Sequence, residues 1–177
     1  MDFKRTEPPQ FIVFMGPPGS GKTYLGCALA RAFRVTFVEG ERLLLEKYGS
    51  TENFVEHKEA ALREYYAYLA ELQLAKATVV AFESTGISDR ADLLDLVAAR
   101  DCAQVRVATP RSRCVERVMT RDTGRNFKAI DAGQFYDRWY AEVAPQYSFE
   151  LVAENGDGAT EETLAALAAA LRLSALA

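Results

Sequence analysis

Apolar residues in this chain fall into short runs separated by longer amphipathic stretches. FIVFM (11–15) is an unbroken apolar run that stops at Gly16, as expected of a strand buried on both faces of a parallel sheet. VTFV (35–38), TVVAF (78–82), AQVRVA (103–108) and FELVA (149–153) predict four more strands. Between them the period turns helical: over 22–33, over about Glu52 to Lys76 with Phe54, Leu62, Tyr65, Leu69 and Leu72 on one face, and over 89–100. A last helix starts at Thr160, where Glu161 and Glu162 suit its N-terminal dipole. Thr109–Pro110 reads as a cap with proline at the first helical position, opening a basic helix-and-loop from 111 to about 133. The second strand ends in an acidic turn, Glu39–Gly40–Glu41, and the third in the polar loop Glu83–Ser84–Thr85–Gly86.

Strands alternating with helices predict an α/β protein, a three-layer α/β/α sandwich around a five-stranded parallel sheet with right-handed crossovers. The expected layout is a loose arm over 1–10 and one domain over 11–177. Ligands of such sheets bind beyond the carboxyl ends of the strands. Gly16, Glu39, Glu83 and Thr109 all fall at such ends, so four segments converge on one rim.

The first strand runs into GPPGSGKT, which satisfies G-x-x-x-x-G-K-[ST] at every fixed position. The run Gly16, Pro17, Pro18, Gly19, Ser20, Gly21, Lys22, Thr23 is the predicted phosphate loop. Its glycines let the backbone curl so that N–H groups point at phosphate oxygens. The helix that follows adds its positive end. Lys22 brings a mobile charge to the β/γ-phosphates, and Thr23 offers a hydroxyl to Mg²⁺. A nucleoside triphosphate with Mg²⁺ is therefore the expected ligand.

Composition narrows the class. The 177 residues are 49% hydrophobic and 26% charged with a formal net charge of -4, the profile of a soluble globular domain and not of a nucleic-acid or membrane-surface binder. No stretch of about 18 apolar residues exists to span a bilayer. MDFKRTEPPQ lacks the apolar core of a signal peptide. Cys27, Cys102 and Cys114 are odd in number and widely spaced, which favours three small core residues in a reducing cytoplasm over disulfides or a zinc site.

Charge placement suggests the chemistry. Glu39, Glu41 and Glu83 could each hold Mg²⁺ through water or take a proton from an attacking hydroxyl. Glu83 has the stronger claim to the metal side, because it ends an apolar strand. Arg113, Arg117, Arg121 and Arg125 are spaced four apart and would share one helix face. Like charges at that spacing cost about 0.2–0.5 kcal/mol per pair, which a bound triphosphate would relieve. The segment 111–133 is thus expected to form a basic lid, mobile from Thr123–Gly124 through Ala132–Gly133, closing over the nucleotide. Arg63 lies on a helix that starts near the acidic turn, so it could reach an acceptor. His57 has no partner suggested by spacing, and Tyr65, Tyr66 and Tyr68 read as packing.

These residues resemble the small P-loop kinases of metabolites, the group of shikimate kinase and gluconate kinase, over about 11–173. FVEGERL resembles the segment where shikimate kinase carries two acids two apart. The resemblance implies that Glu39 is metal-side and that Glu41 is the base facing the acceptor hydroxyl. KEAALRE resembles the segment that supplies an acceptor-binding arginine, here Arg63. Arg117 and Arg121, followed by Asn126–Phe127 and Gly133–Gln134–Phe135, resemble the lid of gluconate kinase, implying nucleotide contacts for both and a catalytic role for Arg121. Two departures stand out. Ser84–Thr85–Gly86 stands where shikimate kinase has a glycine triplet, leaving Gly86 as the glycine on the acceptor side. No Pro-Leu-Leu follows the lid arginine. No single member is assigned. The implied activity is transfer of the γ-phosphoryl of ATP to a hydroxyl of a small metabolite by a cytoplasmic monomer or homodimer. A nucleotide or polynucleotide-end kinase, and a nucleotide-dependent switch, are the alternatives. The acidic net charge disfavours nucleic acid, and no Asn-Lys-x-Asp guanine signature occurs.

Overall fold

The computed structural model describes residues 5–76, 78–120, 129–156 and 161–176. Its centre is β1 (Phe11–Met15), buried along its whole length. Strands β2 (Val35–Val38), β3 (Val79–Ser84), β4 (Cys102–Ala108) and β5 (Leu151–Glu154) complete one sheet in the order β2-β3-β1-β4-β5. Every pairing is parallel.

The period of two inside the apolar runs divides them between two cores. Phe11, Val13, Met15, Val80 and Phe82 face one side. There they meet α4 (Lys58–Lys76), α5 (Arg90–Ala99) and Trp139. Ile12, Phe14, Ala81, Val105 and Val107 face the other side, against α1 (Lys22–Ala32) and α8 (Glu161–Ala170). Two helical layers over one parallel sheet make the three-layer sandwich. Among the described residues no helix is long and apolar enough to cross a membrane.

The largest departure from the sequence reading lies between β2 and β3. Glu39–Gly40–Glu41 is not a turn but the entry to a helix, α2 (Gly40–Tyr48), with Glu39 at its N-cap position and Glu41 in its first turn. Leu43 and Leu44 pack this helix on the core. Gly49, at φ 75°, ends it in the left-handed conformation that closes helices. The Ser50 side chain then caps α3 (Thr51–Glu56) by accepting from the Asn53 N–H at 3.1 Å. The single helix expected over 52–76 is therefore two, broken at His57. Strand β3 runs on to Ser84, which puts Glu83 inside the sheet and not in a loop.

The region after β4 also differs. Helix α6 covers Arg111–Thr120 and α7 covers Ala129–Arg138, so the end of the region expected to be mobile, 129–133, lies within a helix, while Thr123–Gly124 lies outside the described residues. Arg111 clamps the two helices with a paired contact to Asp137 at 2.9 and 3.0 Å. A π-helical turn (Trp139–Val143) follows. The described part of the expected loose arm is anchored: Arg5 contacts both Asp101 and Glu150 at 2.8 Å. Cys102 and Cys114 are buried and Cys27 half-buried, all as free thiols. Burial pushes the Cys102 pKa up to about 12 and that of Cys114 to about 11, which keeps both protonated and unreactive.

Two aromatic side chains fasten the segment after β3. The Trp139 indole N–H donates to the Thr85 carbonyl at 2.8 Å, and the Tyr147 hydroxyl to the Gly86 carbonyl at 2.7 Å. Trp139→Phe keeps an aromatic ring but leaves the Thr85 carbonyl without its donor. It should lower the unfolding free energy by about 1–3 kcal/mol, read as an earlier urea midpoint. An unchanged midpoint would mean that the bond contributes nothing.

Candidate active site at the phosphate loop

Gly16 to Thr23 joins β1 to α1. Gly19 (φ 82°) and Gly21 (φ 88°) take left-handed backbone, which curls the loop. They also let neighbours press on its back. A Cβ on Gly19 would lie 2.3 Å from the Cys114 carbonyl of α6, and one on Gly21 would lie 2.1 Å from the Asn155 amide nitrogen.

Curling turns carbonyls outward, and each needs a donor. The Asn155 amide donates to the Ser20 carbonyl at 2.7 Å. The Thr109 hydroxyl lies 2.8 Å from that carbonyl and 3.1 Å from the Asn155 carbonyl. Thr109 therefore does not cap α6, whose first bond runs from the Cys114 N–H to the Pro110 carbonyl. The Arg117 guanidinium donates to the carbonyls of Gly19 (3.3 Å), Asn155 (3.1 Å) and Gly156 (3.0 Å). Arg117 thus sits behind the loop, tying α6 to it.

The front of the loop carries the reactive groups. Lys22 is buried, with its ammonium donating to the carbonyls of Gly16 (2.8 Å) and Pro17 (3.1 Å). The Thr23 hydroxyl donates to the Glu83 carboxylate at 2.7 Å. The Ser20 hydroxyl is buried with no partner. Lys22, Thr23 and Glu83 open on a cavity of about 300 Å³. Pro18, Gly19, Gly21, Lys22 and Thr23 form one side of it, and Glu83 and Ser84 at the end of β3, with Thr85 after it, form another. Glu41 enters from α2, and Leu44, Leu45, Phe54, Leu62 and Tyr65 form an apolar flank.

Other predicted residues stand elsewhere. The Glu39 carboxylate is off the cavity wall, 3.7 Å from Arg42 and 4.0 Å from the Cys27 sulfur. Burial, and then Glu39, push the Cys27 pKa up. Arg63 lies on the exposed face of α4, outside the wall. Gly86 lies behind the wall, with its N–H donating to the Ser84 hydroxyl and its carbonyl accepting from Tyr147. Arg121 and Arg125 lie outside the described residues. No three His, Cys, Asp or Glu side chains among the described residues approach closely enough to enclose a metal.

Two residues on this rim escaped the sequence reading. Asn155 directly follows β5, a position the strand-end rule would have flagged. Asp89 precedes α5, where an aspartate reads as a helix cap. Its carboxylate is used otherwise, accepting from the Tyr66 hydroxyl at 2.7 Å and the Ser84 hydroxyl at 2.9 Å.

The fold places the chain among known proteins. A structure of shikimate kinase from Acinetobacter baumannii in complex with shikimate aligns over 92% of this chain and 91% of its own, with a TM-score of 0.62 and 21% identity. The chain has the shikimate-kinase fold. A gluconokinase from Sinorhizobium meliloti 1021 aligns over 92% and 95%, with a TM-score of 0.56 and 22% identity. In sequence, residues 12–83 match the ATPase family associated with various cellular activities. The shikimate kinase of Xanthomonas euvesicatoria pv. vesicatoria (strain 85-10) is 34% identical over 65 residues, a match covering 36% of this chain and 36% of that protein. The similarity is therefore to the shikimate and gluconate kinase group, with no single member assigned.

Arg117→Ala removes a donor from the Gly19 carbonyl of the loop and from the Asn155 and Gly156 carbonyls after β5. Charge-assisted hydrogen bonds contribute about 1.5–3 kcal/mol, so unfolding free energy should fall by that order. Arg117→Lys should recover little, because one ammonium cannot span three carbonyls as a planar guanidinium does. A urea midpoint for Arg117→Lys equal to that of the wild-type protein would contradict this.

Proposed function

We propose that the protein is an ATP-dependent kinase that transfers the γ-phosphoryl group to a hydroxyl of a small molecule. The observation that carries the proposal is that the phosphate loop and the Glu41 carboxylate open on one cavity. Its volume of about 300 Å³ lies in the range of small-molecule sites. The similarity to the shikimate and gluconate kinase group supports the same reading.

The residues divide as follows. The N–H groups of Gly16 to Thr23 receive the phosphates at the N-terminus of α1. Lys22 leaves the carbonyls of Gly16 and Pro17 for the β/γ-phosphate oxygens. Thr23 and Glu83, already paired, would hold Mg²⁺, and Glu39 would add negative charge on the metal side. Mg²⁺ when bound would neutralise phosphate charge. Glu41 takes the proton of the acceptor hydroxyl as its oxygen bonds to the γ-phosphorus. The bond from that phosphorus to the β–γ bridging oxygen breaks, and ADP leaves with the electron pair. Arg117 supports the loop from behind, and Arg121 would act on the transferring group from the lid.

Lys22→Ala should fold and lose most of its kcat, because its charge is needed where negative charge shifts during transfer. Glu41→Gln should lower kcat by about 10²–10⁴-fold. Glu39→Gln should act mainly through a raised Mg²⁺ requirement. ADP release measured together with formation of the phosphorylated acceptor checks all three, and near wild-type turnover of Lys22→Ala would sink the reading.

The basic lid has its own measurement. Hydrogen exchange over 111–133 should slow when a non-hydrolysable ATP analogue and Mg²⁺ bind, since phosphate relieves the repulsion along the arginine face. Unchanged exchange at saturation would reduce that face to ordinary solvated surface.

A further inference from the structure

The acceptor side of the cavity is acidic. Glu41, Glu83 and Asp89 all line it, and Lys22 is the one cation on the wall among the described residues. Lys22 and Glu83 belong to the phosphate side by the reading above. Asp89 has no such employment. It is 9% exposed, and each of its oxygens accepts one hydroxyl proton, from Tyr66 or Ser84. A carboxylate oxygen can accept two, so capacity remains. Both hydroxyls are neutral, so the Asp89 charge itself is unanswered by them.

A second observation points to the same wall. The Tyr65 hydroxyl is buried without a hydrogen-bond partner, and the residue lines the cavity. It abuts Gly40, where a Cβ would lie 2.7 Å from its oxygen. Burial, with Glu83 and Asp89 nearby, pushes its pKa up and keeps it a neutral phenol. Buried polar groups normally have partners, and a ligand in the cavity would provide one. Beside it Leu44, Leu45, Phe54 and Leu62 offer a surface that suits a carbon skeleton.

We propose that the acceptor is a hydroxylated molecule that carries a protonated amine and no carboxylate, with Asp89 reading the ammonium group and Tyr65 a neighbouring polar atom. The proposal rests on the kinase reading and names its substrate class. Its chemistry follows from charge: an ammonium is attracted by Asp89 and Glu41, and a carboxylate is repelled by both. The arrangement separates this cavity from one built to hold a sugar acid. The phenol and the apolar flank add shape selection, so small aliphatic amines without a ring should bind weakly.

Matched probes test it. trans-4-Aminocyclohexanol, cyclohexane-1,4-diol and trans-4-hydroxycyclohexanecarboxylate share a ring and a hydroxyl and differ in charge. Glucosamine, glucose and glucuronate repeat the series on a sugar. Binding is measured by calorimetry in the presence of Mg²⁺ and a non-hydrolysable ATP analogue, and transfer separately by ADP release with ATP. In at least one series the amine should bind about tenfold or more tighter than its neutral twin, and the acid weakest. Asp89→Asn should erase that preference. An acid that binds as well as its amine, no amine preference in either series, or a preference that survives in Asp89→Asn overturns the proposal. If the variant does not fold, the wild-type series still decides. Amine preference without transfer to any bound probe would count against the kinase reading and leave the charge preference standing.

Discussion

A phosphate loop works only if its backbone N–H groups converge, and here that turns the carbonyls of Gly19 and Ser20 to the other side, where their side-chain donors come from outside the loop. The protein answers this demand with three donors from outside the loop: Thr109 beyond β4, Arg117 on α6 and Asn155 beyond β5. A parallel sheet can supply them because its strands all end on the same rim, and β4 lies next to β1 with β5 one strand further out. Gly19 and Gly21 meet the demand a second time. Their left-handed backbone makes the curl, and their lack of a side chain leaves room for Cys114 and Asn155 against the back of the loop. The conformation of the loop is thus set jointly by its own glycines and by the far side of the sheet.

The other side of β1 is organised by packing. Helices α2, α3 and α4 are inserted between β2 and β3, and the cavity lies between them and the loop. Its polar wall is supported from the core. Tyr66 and Ser84 hold Asp89, the Ser84 hydroxyl also accepts from the Gly86 N–H, and Trp139 and Tyr147 pin the next two carbonyls. Trp139 is fully buried in the same cluster that packs α4 and α5 on the sheet. The positions of the cavity's polar groups therefore depend on core packing as much as on their neighbours in sequence. Arg117 makes an analogous connection for α6, bonding that helix to the phosphate loop and to the segment after β5.

Much of this was legible in the order of residues. Five apolar runs separated by helical periods specify a parallel α/β sheet, because only strands buried on both faces are apolar without alternation. Gly16 to Thr23 is a local motif in which chemistry and conformation share the same eight residues, so no distant contact is needed to read it. Short-range signals failed where one residue type serves two purposes. Glu39–Gly40–Glu41 carries the composition of a turn, yet the leucines that follow bury a helix face, and packing decides for α2. Gly133 carries the signature of a hinge, yet it lies inside α7, beside the Arg111–Asp137 pair.

The layers, the phosphate loop and the rim on which acids and bases gather follow from the order of residues alone, because periodicity and motif spacing are properties of neighbours along the chain. Which of the gathered residues face the cavity is a matter of packing between distant segments. Packing set Glu41 on the wall and Glu39 beside Cys27, turned Arg63 to the exposed face of α4, put Arg117 behind the loop, and brought Asp89 and Tyr65 to the cavity wall. Facing is settled by helix starts, where a shift of one residue turns a side chain by about 100°, and by partners dozens of residues away. Asp89 reaches Tyr66 across 23 positions and Asn155 reaches Ser20 across 135, separations at which no local pattern in the chain carries information.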